Sequence, residues 1–129
     1  MLWNEWILSR LARTVAHINQ GFADCDFQAC TSKLYSFWIH DFCDVFIEQA
    51  KGALRNGPES RPEECRATQA TLLIVARTWL KLIAPFMPAL ADEMWHRLPP
   101  ALGSDVIDDV SVPLSITVAP FPTAAGTCF

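Results

Sequence analysis

Several features that would identify a function are missing from this 129-residue chain. No apolar run reaches the length of about 18 residues that a membrane-spanning helix needs. The N-terminus lacks the charged start and small-residue cleavage site of a secretory signal. The five cysteines are odd in number and form no C-x-x-C pair, which fits reduced thiols in an intracellular protein better than a disulfide framework. The glycines are isolated, so a phosphate-binding glycine loop is excluded.

Charge and composition narrow the class further. The chain has a net charge of −4, with 51% hydrophobic and 19% charged residues. This composition excludes a disordered protein, and the acidic balance argues against a generally basic nucleic-acid-binding surface. Any contact with RNA must therefore come from a local patch, and we expect neither a membrane nor DNA as a partner.

Apolar residues recur every three or four positions in several segments, which predicts an all-α protein. The first helix is expected over 6–22 and the second over 27–51, with Asp26 as the N-cap of the second. The apolar residues of the second helix cover a wide sector. A helix that is apolar on several sides lies at the centre of a bundle.

The connection to the third helix carries strong local signals. Residues 52–61 contain Asn-Gly-Pro, which predicts a turn. Ser60 and Glu63 match a capping box, with Pro62 just inside the helix start. The third helix is then expected to run to about Ile83.

Two prolines mark a corner between the third and fourth helices. Pro85 removes an amide hydrogen and disfavours a helical conformation at Ala84, whereas Pro88 suits a first helical turn. Asp92 and Glu93 are explained by the positive end of the new helix dipole. The fourth helix, over 88–98, is expected to bury five apolar residues: Leu90, Ala91, Met94, Trp95 and Leu98.

These segments predict an antiparallel helical bundle of about four helices over 1–98. Residues 99–129 are expected to form an irregular tail, packed on or trailing from the bundle, with a short β-like run at 114–118. Trp38, Trp79 and Trp95 fit apolar faces, so we interpret them as core residues rather than as RNA-stacking platforms.

A metal-dependent enzyme is one alternative. His40 and Asp41 form a dipeptide that some all-helical phosphohydrolases use to hold a divalent metal, with His17 and Asp92 as further ligands. The glycine expected soon after such a dipeptide is missing, and the helix continues. Ordinary polar residues between apolar positions are the simpler interpretation, and we assign no catalytic or metal-binding residue.

Four segments, taken in order, carry a family resemblance. They are WILSRL at 6–11, LYSFW at 34–38, FCDVFIEQAK at 42–51 and the proline hinge at 85–95. Together they resemble the C-terminal anticodon-binding helical bundle of valyl-tRNA synthetases. The resemblance covers about residues 3–98, with a weaker echo at 115–122.

The resemblance implies the tRNA anticodon-binding module of a valine-tRNA ligase, with a valine tRNA and the catalytic module of the synthetase as partners. It implies ATP and Mg²⁺ for the parent enzyme but no cofactor in this chain. The family's His-Ile-Gly-His and Lys-Met-Ser-Lys-Ser motifs are absent here, so the chain alone should not aminoacylate tRNA. It implies a cytoplasmic location, with a mitochondrial one as the alternative. A non-catalytic protein-interaction bundle derived from a synthetase is the alternative function.

Basic residues are the candidate RNA contacts under this interpretation. Lysine and arginine bind backbone phosphates in a salt-dependent way, and unpaired anticodon bases stack or form hydrogen bonds. Arg10, Arg13 and His17 form the first candidate strip, on one face of the first helix. The other candidates lie on the second and third helices: Lys33, Lys51, Arg66, Arg77 and Lys81. A solvated helix face is the alternative for each of them.

Overall fold

A computed structural model describes residues 2–99 and 115–123, with only the backbone described for 56–60. These residues contain five α-helices, a π-helical segment and a 3-10 turn, and no strand. The elements are α1 (Leu2–Ala23), α2 (Phe27–Ser36), the π segment (Phe37–Ile47), α3 (Glu48–Ser60), α4 (Pro62–Ile83), α5 (Pro88–Arg97) and the 3-10 turn (Ile116–Val118). The all-α fold class is therefore confirmed. No helix in the described part of the chain is long and apolar enough to cross a bilayer.

α2, the π segment and α3 follow one another without a break and form a single long rod over 27–60. The helix predicted over 27–51 is confirmed, but its eleven-residue π-helical middle was not predicted. Phe37, Phe42 and Phe46 are all buried in this segment, at spacings of five and then four residues. Such spacings exceed the α-helical period, and the wider i→i+5 turn places the three rings on one face.

The turn predicted within 52–61 is wrong, because α3 continues as helix to Ser60. α3 packs against α4, and this tertiary packing overrides the local turn propensity. The predicted capping box is also wrong. Arg61 is the N-cap of α4, in a non-helical conformation and without a side-chain cap, while Pro62 takes the first helical position as predicted.

The core clusters give the direction of each helix. One cluster surrounds the first half of α1: Ile7, Leu11, Phe37, Phe42, Phe46 and Val75. A second cluster surrounds its second half: Val15, Ile18, Cys30, Leu34 and Leu82. The start of α1 thus meets the π segment and its end meets α2, so α1 and the long rod are antiparallel. Val75 lies in the cluster at the start of α1 and Leu82 in the cluster at its end. α4 therefore runs parallel to α1 and antiparallel to the rod.

The turn between α1 and α2 brings the two helices close together. Asp26 caps α2 as predicted, since its Oδ1 accepts a hydrogen bond from the Ala29 amide at 3.0 Å. Cys25 adopts a left-handed backbone conformation in the turn, with a φ of 56°. Gly21 lies against Cys30, so that a Cβ at position 21 would overlap the Cys30 sulfur. The absence of a side chain at Gly21 therefore permits the approach of α1 to α2.

The proline hinge forms where it was predicted. α4 ends at Ile83, α5 begins at Pro88, and α5 folds back along α4. The contacts between them form a third cluster: Leu80, Ala91, Trp95 and Ile116. Burial of Leu90 and Met94 was predicted wrongly, because these side chains are 48% and 43% exposed. Within the described residues, α5 is an outer helix that is covered on the side of Ala91 and Trp95.

Residues 115–123, which we call the strap, lie across α5 and α1. The Asp92 carboxylate accepts hydrogen bonds from the Ser115 hydroxyl at 2.8 Å and from the Ile116 amide at 2.9 Å. Asn19 donates to the Pro122 carbonyl at 3.0 Å, and the Phe121 ring contacts Phe22 edge-to-face. The strap therefore joins the last helix of the bundle to the first.

Two predictions made for the strap and for α5 do not match the structure. The β-like run at 114–118 is wrong over the described residues, where Ile116–Val118 form a 3-10 turn. Asp92 and Glu93 do not lie in the first turn of α5. Asp92 binds the strap, and Glu93 accepts hydrogen bonds from Arg97. The rest of the predicted tail, at 100–114 and 124–129, lies outside the described residues.

Candidate RNA-binding surface

The groove between α1 and the long rod is crossed by an ion pair. Arg10 donates to Asp41 of the π segment through Nε at 3.0 Å and through Nη2 at 3.1 Å. The side chains of Arg10 and Asp41 are 35% and 13% exposed. A two-point contact of this kind fixes the plane of the guanidinium as well as its position.

This ion pair also sets the register of the groove. His17 follows Arg10 by two helical turns on the same face of α1, and Lys33 precedes Asp41 by about two turns on the rod. Because the two elements are antiparallel, His17 and Lys33 lie level with each other across the groove. Two residues from different predicted groups are thus brought to one surface.

Arg13, His17 and Lys33 form what we call the basic strip. Arg13 and His17 are exposed, and Lys33 is half-buried. Within residues 2–99 and 115–123 none of the three makes an ion pair. Cations that face water without a nearby carboxylate are able to bind an external anion.

The other predicted RNA contacts are not part of this surface. Lys51 forms an ion pair with Glu48 on the exposed side of α3, and Arg66 is exposed on α4. Arg77 and Lys81 face α5 instead of the groove. Their cationic groups lie 5.9 and 5.8 Å from the centre of the Trp95 ring.

Arg77 and Lys81 are engaged in packing. Arg77 donates to the Pro99 carbonyl at 2.8 Å, and burial, together with the charge of Arg77, lowers the pKa of Lys81. A lowered lysine pKa means that the site disfavours the charged form. The long side chains cover Trp95, as amphipathic side chains commonly cover apolar surface.

The residues of the alternative metal site are not brought together. Asp41 binds Arg10, His40 lies 3.4 Å from Asp44, and Asp92 binds the strap on α5. Among the described residues no three His, Cys, Asp or Glu side chains cluster closely enough to hold a metal ion. The carboxylate of the His-Asp dipeptide thus serves as an ion-pair partner.

The tryptophans predicted to be core residues pack as expected. Trp38 stacks on Trp79 with ring centres 4.0 Å apart, and Trp95 is 8% exposed. Trp79 packs against all three core clusters. Its indole nitrogen is buried and has no hydrogen-bond partner in the described part of the chain.

Two exposed aromatic residues were missed by sequence reasoning. Tyr35 is 66% and Phe27 is 53% exposed on α2, and the Phe27 ring also contacts Phe22 edge-to-face. Exposed rings of this kind can stack on unpaired bases. Tyr35 is two residues from Lys33 and so points to nearly the opposite side of the helix. The sequence signal for the exposure of Tyr35 was that it lies outside the apolar repeat formed by Cys30, Leu34 and Phe37.

The fold and this surface define a class: an all-α bundle with a local cationic groove on an otherwise acidic chain. Residues 4–127 match the family described as the anticodon-binding domain of tRNA ligase, and the chain belongs to this family.

The similar proteins share one description. The chain is 40% identical over 126 residues to the mitochondrial valine-tRNA ligase of Mus musculus, covering 98% of this chain and 11% of that protein. It is 39% identical over 131 residues to the valine-tRNA ligase of Takifugu rubripes, covering 98% and 10%. It is 40% identical over 122 residues to the valine-tRNA ligase of Homo sapiens, covering 94% and 9%. The chain thus spans about a tenth of the length of these relatives.

Proposed function

We propose that this chain binds the anticodon arm of a valine tRNA and holds it for aminoacylation by a separate catalytic module. The observation that carries the proposal is the basic strip, in which Arg13 and Lys33, beside the exposed imidazole of His17, are cations that make no ion pair among the described residues. Such cations bind phosphates of the anticodon stem. Identity of about 40% to valine-tRNA ligases supports valine tRNA as the substrate.

The charge of the chain shapes this interaction. A net charge of −4 repels RNA at long range, whereas the strip attracts phosphates within about 8 Å, the screening length at physiological salt. Binding should therefore depend on close and correctly placed contacts. Specificity for the anticodon would come from bases that stack or form hydrogen bonds beside the strip.

The parent enzyme would use ATP and Mg²⁺ in its catalytic module, which supplies the chemistry. The matched relatives include mitochondrial valine-tRNA ligases and valine-tRNA ligases whose names give no compartment. The cytoplasmic location of this chain therefore stays a prediction.

A filter-binding titration of the 129-residue chain with valine tRNA, at several salt concentrations, tests the proposal. We expect saturable binding at low salt that weakens as salt rises. Arg13→Ala and Lys33→Ala should each lower the affinity about tenfold and reduce the salt slope by about 1, because each removes a phosphate contact.

Arg97→Ala is the matched control, since Arg97 is an exposed arginine on α5 that is paired with Glu93. It should leave the affinity unchanged. Absence of saturable binding by the wild-type chain at low salt contradicts the proposal. An equal loss from Arg97→Ala and Arg13→Ala contradicts the assignment of the groove.

The second candidate function is docking on another module of a synthetase. It is favoured by an exposed apolar stripe at the start and outer face of α5: Met87, Leu90 and Met94 are 47%, 48% and 43% exposed. Co-sedimentation with the catalytic module of a valine-tRNA ligase tests this function. Leu90→Lys combined with Met94→Lys should abolish the association, and an unchanged association contradicts it.

A further inference from the structure

Arg10 differs from the residues of the basic strip because its charge already has a partner. Two of its five N–H donors, on Nε and Nη2, are directed at the two oxygens of Asp41. The donors that remain lie on Nη1 and on the outer side of Nη2. The side chain is 35% exposed, so the ion pair with Asp41 does not close it off from solvent.

The negative charge of Asp41 should weaken RNA binding at this surface unless the residue has a second role there. A carboxylate beside a phosphate path repels the RNA backbone. Asp41, however, is only 13% exposed and is covered by Arg10. Arg10 thus neutralises the charge of Asp41, and the two hydrogen bonds between them fix the orientation of the guanidinium.

An arginine that is held in one plane loses little conformational entropy when it binds. Arg10 lies on the same face of α1 as His17 and one turn before Arg13. Its open edge therefore continues the basic strip toward the N-terminal end of the groove. A phosphate has the geometry that such an edge recognises with two hydrogen bonds.

We propose that Asp41 is a positioning residue, which holds Arg10 so that the outer edge of its guanidinium donates to an RNA backbone phosphate. This inference rests on the proposed RNA-binding function. Asp41, although acidic, would then favour the binding of RNA. Simple electrostatics assigns it the opposite role.

The sign of the effect provides the test. In a filter-binding titration of the full chain with valine tRNA, Asp41→Asn should lower the affinity about threefold to tenfold, although it removes a negative charge. Asp44→Asn is the matched control, because Asp44 is an exposed acid of the same π segment that pairs with the neighbouring His40. It should leave the affinity unchanged or raise it slightly. A rise in affinity for Asp41→Asn overturns the inference.

Arg10→Lys separates the planar fork from the charge. The variant keeps the positive charge, so the salt slope should be unchanged, but it should lose about tenfold in affinity since it cannot form the two-point contact. An affinity equal to that of the wild type overturns the inference.

An exchange of the two residues separates positioning from folding. Arg10→Asp combined with Asp41→Arg keeps the ion pair, and urea unfolding should show recovered stability relative to Asp41→Asn. RNA affinity should stay low, because the guanidinium now belongs to the π segment. Recovery of affinity together with stability shows a merely structural pair and overturns the inference. If the wild-type chain binds no tRNA at any salt, the proposed function fails, and this inference fails with it.

Discussion

The groove between α1 and the long rod and the layer between α4 and α5 use similar basic residues in different ways. In the groove, Arg13 and Lys33 face no carboxylate among the described residues. In the layer, Arg77 and Lys81 lie over the Trp95 ring. The spacing of cations along a helix therefore does not distinguish a ligand-binding surface from the cover of an aromatic ring. The neighbouring helix decides which of the two forms.

The pKa of Lys81 illustrates the difference. Burial lowers this pKa, so the protein loses some free energy by keeping Lys81 charged at neutral pH. The same position contributes contact between the lysine stem and Trp95. An outer cation that bound RNA would instead keep its charge fully hydrated in the free protein. The layer between α4 and α5 thus has a structural role.

Trp79 connects the two regions, and its truncation should have the largest effect. Trp79 contacts all three core clusters and stacks on Trp38. Trp79→Ala should lower the free energy of unfolding by about 3–5 kcal/mol, since it removes a large side chain from the junction. Urea unfolding followed by far-UV circular dichroism measures this loss.

Trp79→Phe is the control for the indole nitrogen. The buried N–H has no partner in the described part of the chain, so phenylalanine removes an unsatisfied donor along with some volume. The loss should be less than half of that of Trp79→Ala. Equal losses would mean that the N–H is hydrogen-bonded in solution.

Gly21 lies in a close contact between two helices, whereas Gly52 lies at an open surface. A Cβ at Gly21 would overlap the Cys30 sulfur in the contact of α1 with α2, whereas Gly52 on α3 has no neighbour within 4 Å of such a Cβ. Gly21→Ala should destabilise the protein by about 1–3 kcal/mol. Gly52→Ala should stabilise it by about 1 kcal/mol, because alanine is the better helix former.

Thermal and urea unfolding of both variants check these signs. Stabilisation by Gly21→Ala would show that Cys30 can rotate away and that the approach of α1 to α2 does not depend on glycine. Destabilisation by Gly52→Ala would place that residue in a contact that is not visible in the structure.

Much of the fold could be predicted from periodicity and prolines. The hinge formed by Pro85 and Pro88 and the cap at Asp26 depend on local backbone chemistry, and all appear as expected. The turn at residues 56–58 failed because packing of α3 on α4 outweighs local propensity. The π segment was missed because only the spacing of its three buried phenylalanines, and no single residue type, indicates it.

The site could be predicted in part. Arg10, Arg13 and His17 share a face by helical spacing alone. The approach of Lys33 depends on antiparallel packing of two helices, and the pairing of Arg10 with Asp41 spans 31 residues. The sequence distance gives no signal for such a contact. The same is true of Arg77 and Lys81, whose partner Trp95 lies on the helix beyond the hinge.

The strap should respond to the charge of Asp92. Hydrogen bonds from the Ile116 amide and the Ser115 hydroxyl lower the pKa of Asp92 below its ordinary value of 3.8. The stabilisation is therefore fully present above pH 3.8 and is lost as the pH falls through the lowered pKa of the folded state. Nearby His96, 3.5 Å from the carboxylate, adds attraction once it is protonated.

Hydrogen exchange of the Ile116 amide, expressed as a protection factor, measures the attachment of the strap. Protection should fall at acid pH in the wild type and should be low at all pH values in Asp92→Ala. Ser115→Ala is the control, since it keeps the bond from the Ile116 amide and should lose only part of the protection. If the protection factor of the Ile116 amide in the wild type does not change with pH, burial of Ile116 alone holds the strap.

The outer face of α5 should give the smallest effect. Leu90 and Met94 are 48% and 43% exposed, so Leu90→Lys and Met94→Lys should each change the free energy of unfolding by no more than about 0.5 kcal/mol. Ala91→Lys, on the covered side of the same helix, should be strongly destabilising because Ala91 is fully buried against Leu80 and Trp95. Urea unfolding of the three variants compares the two sides directly. A large loss from Leu90→Lys would mean that this face is covered in the isolated chain, which would contradict the exposure of Leu90. A small loss leaves the face open and limits the packing role of α5 to its contacts with α4 and the strap.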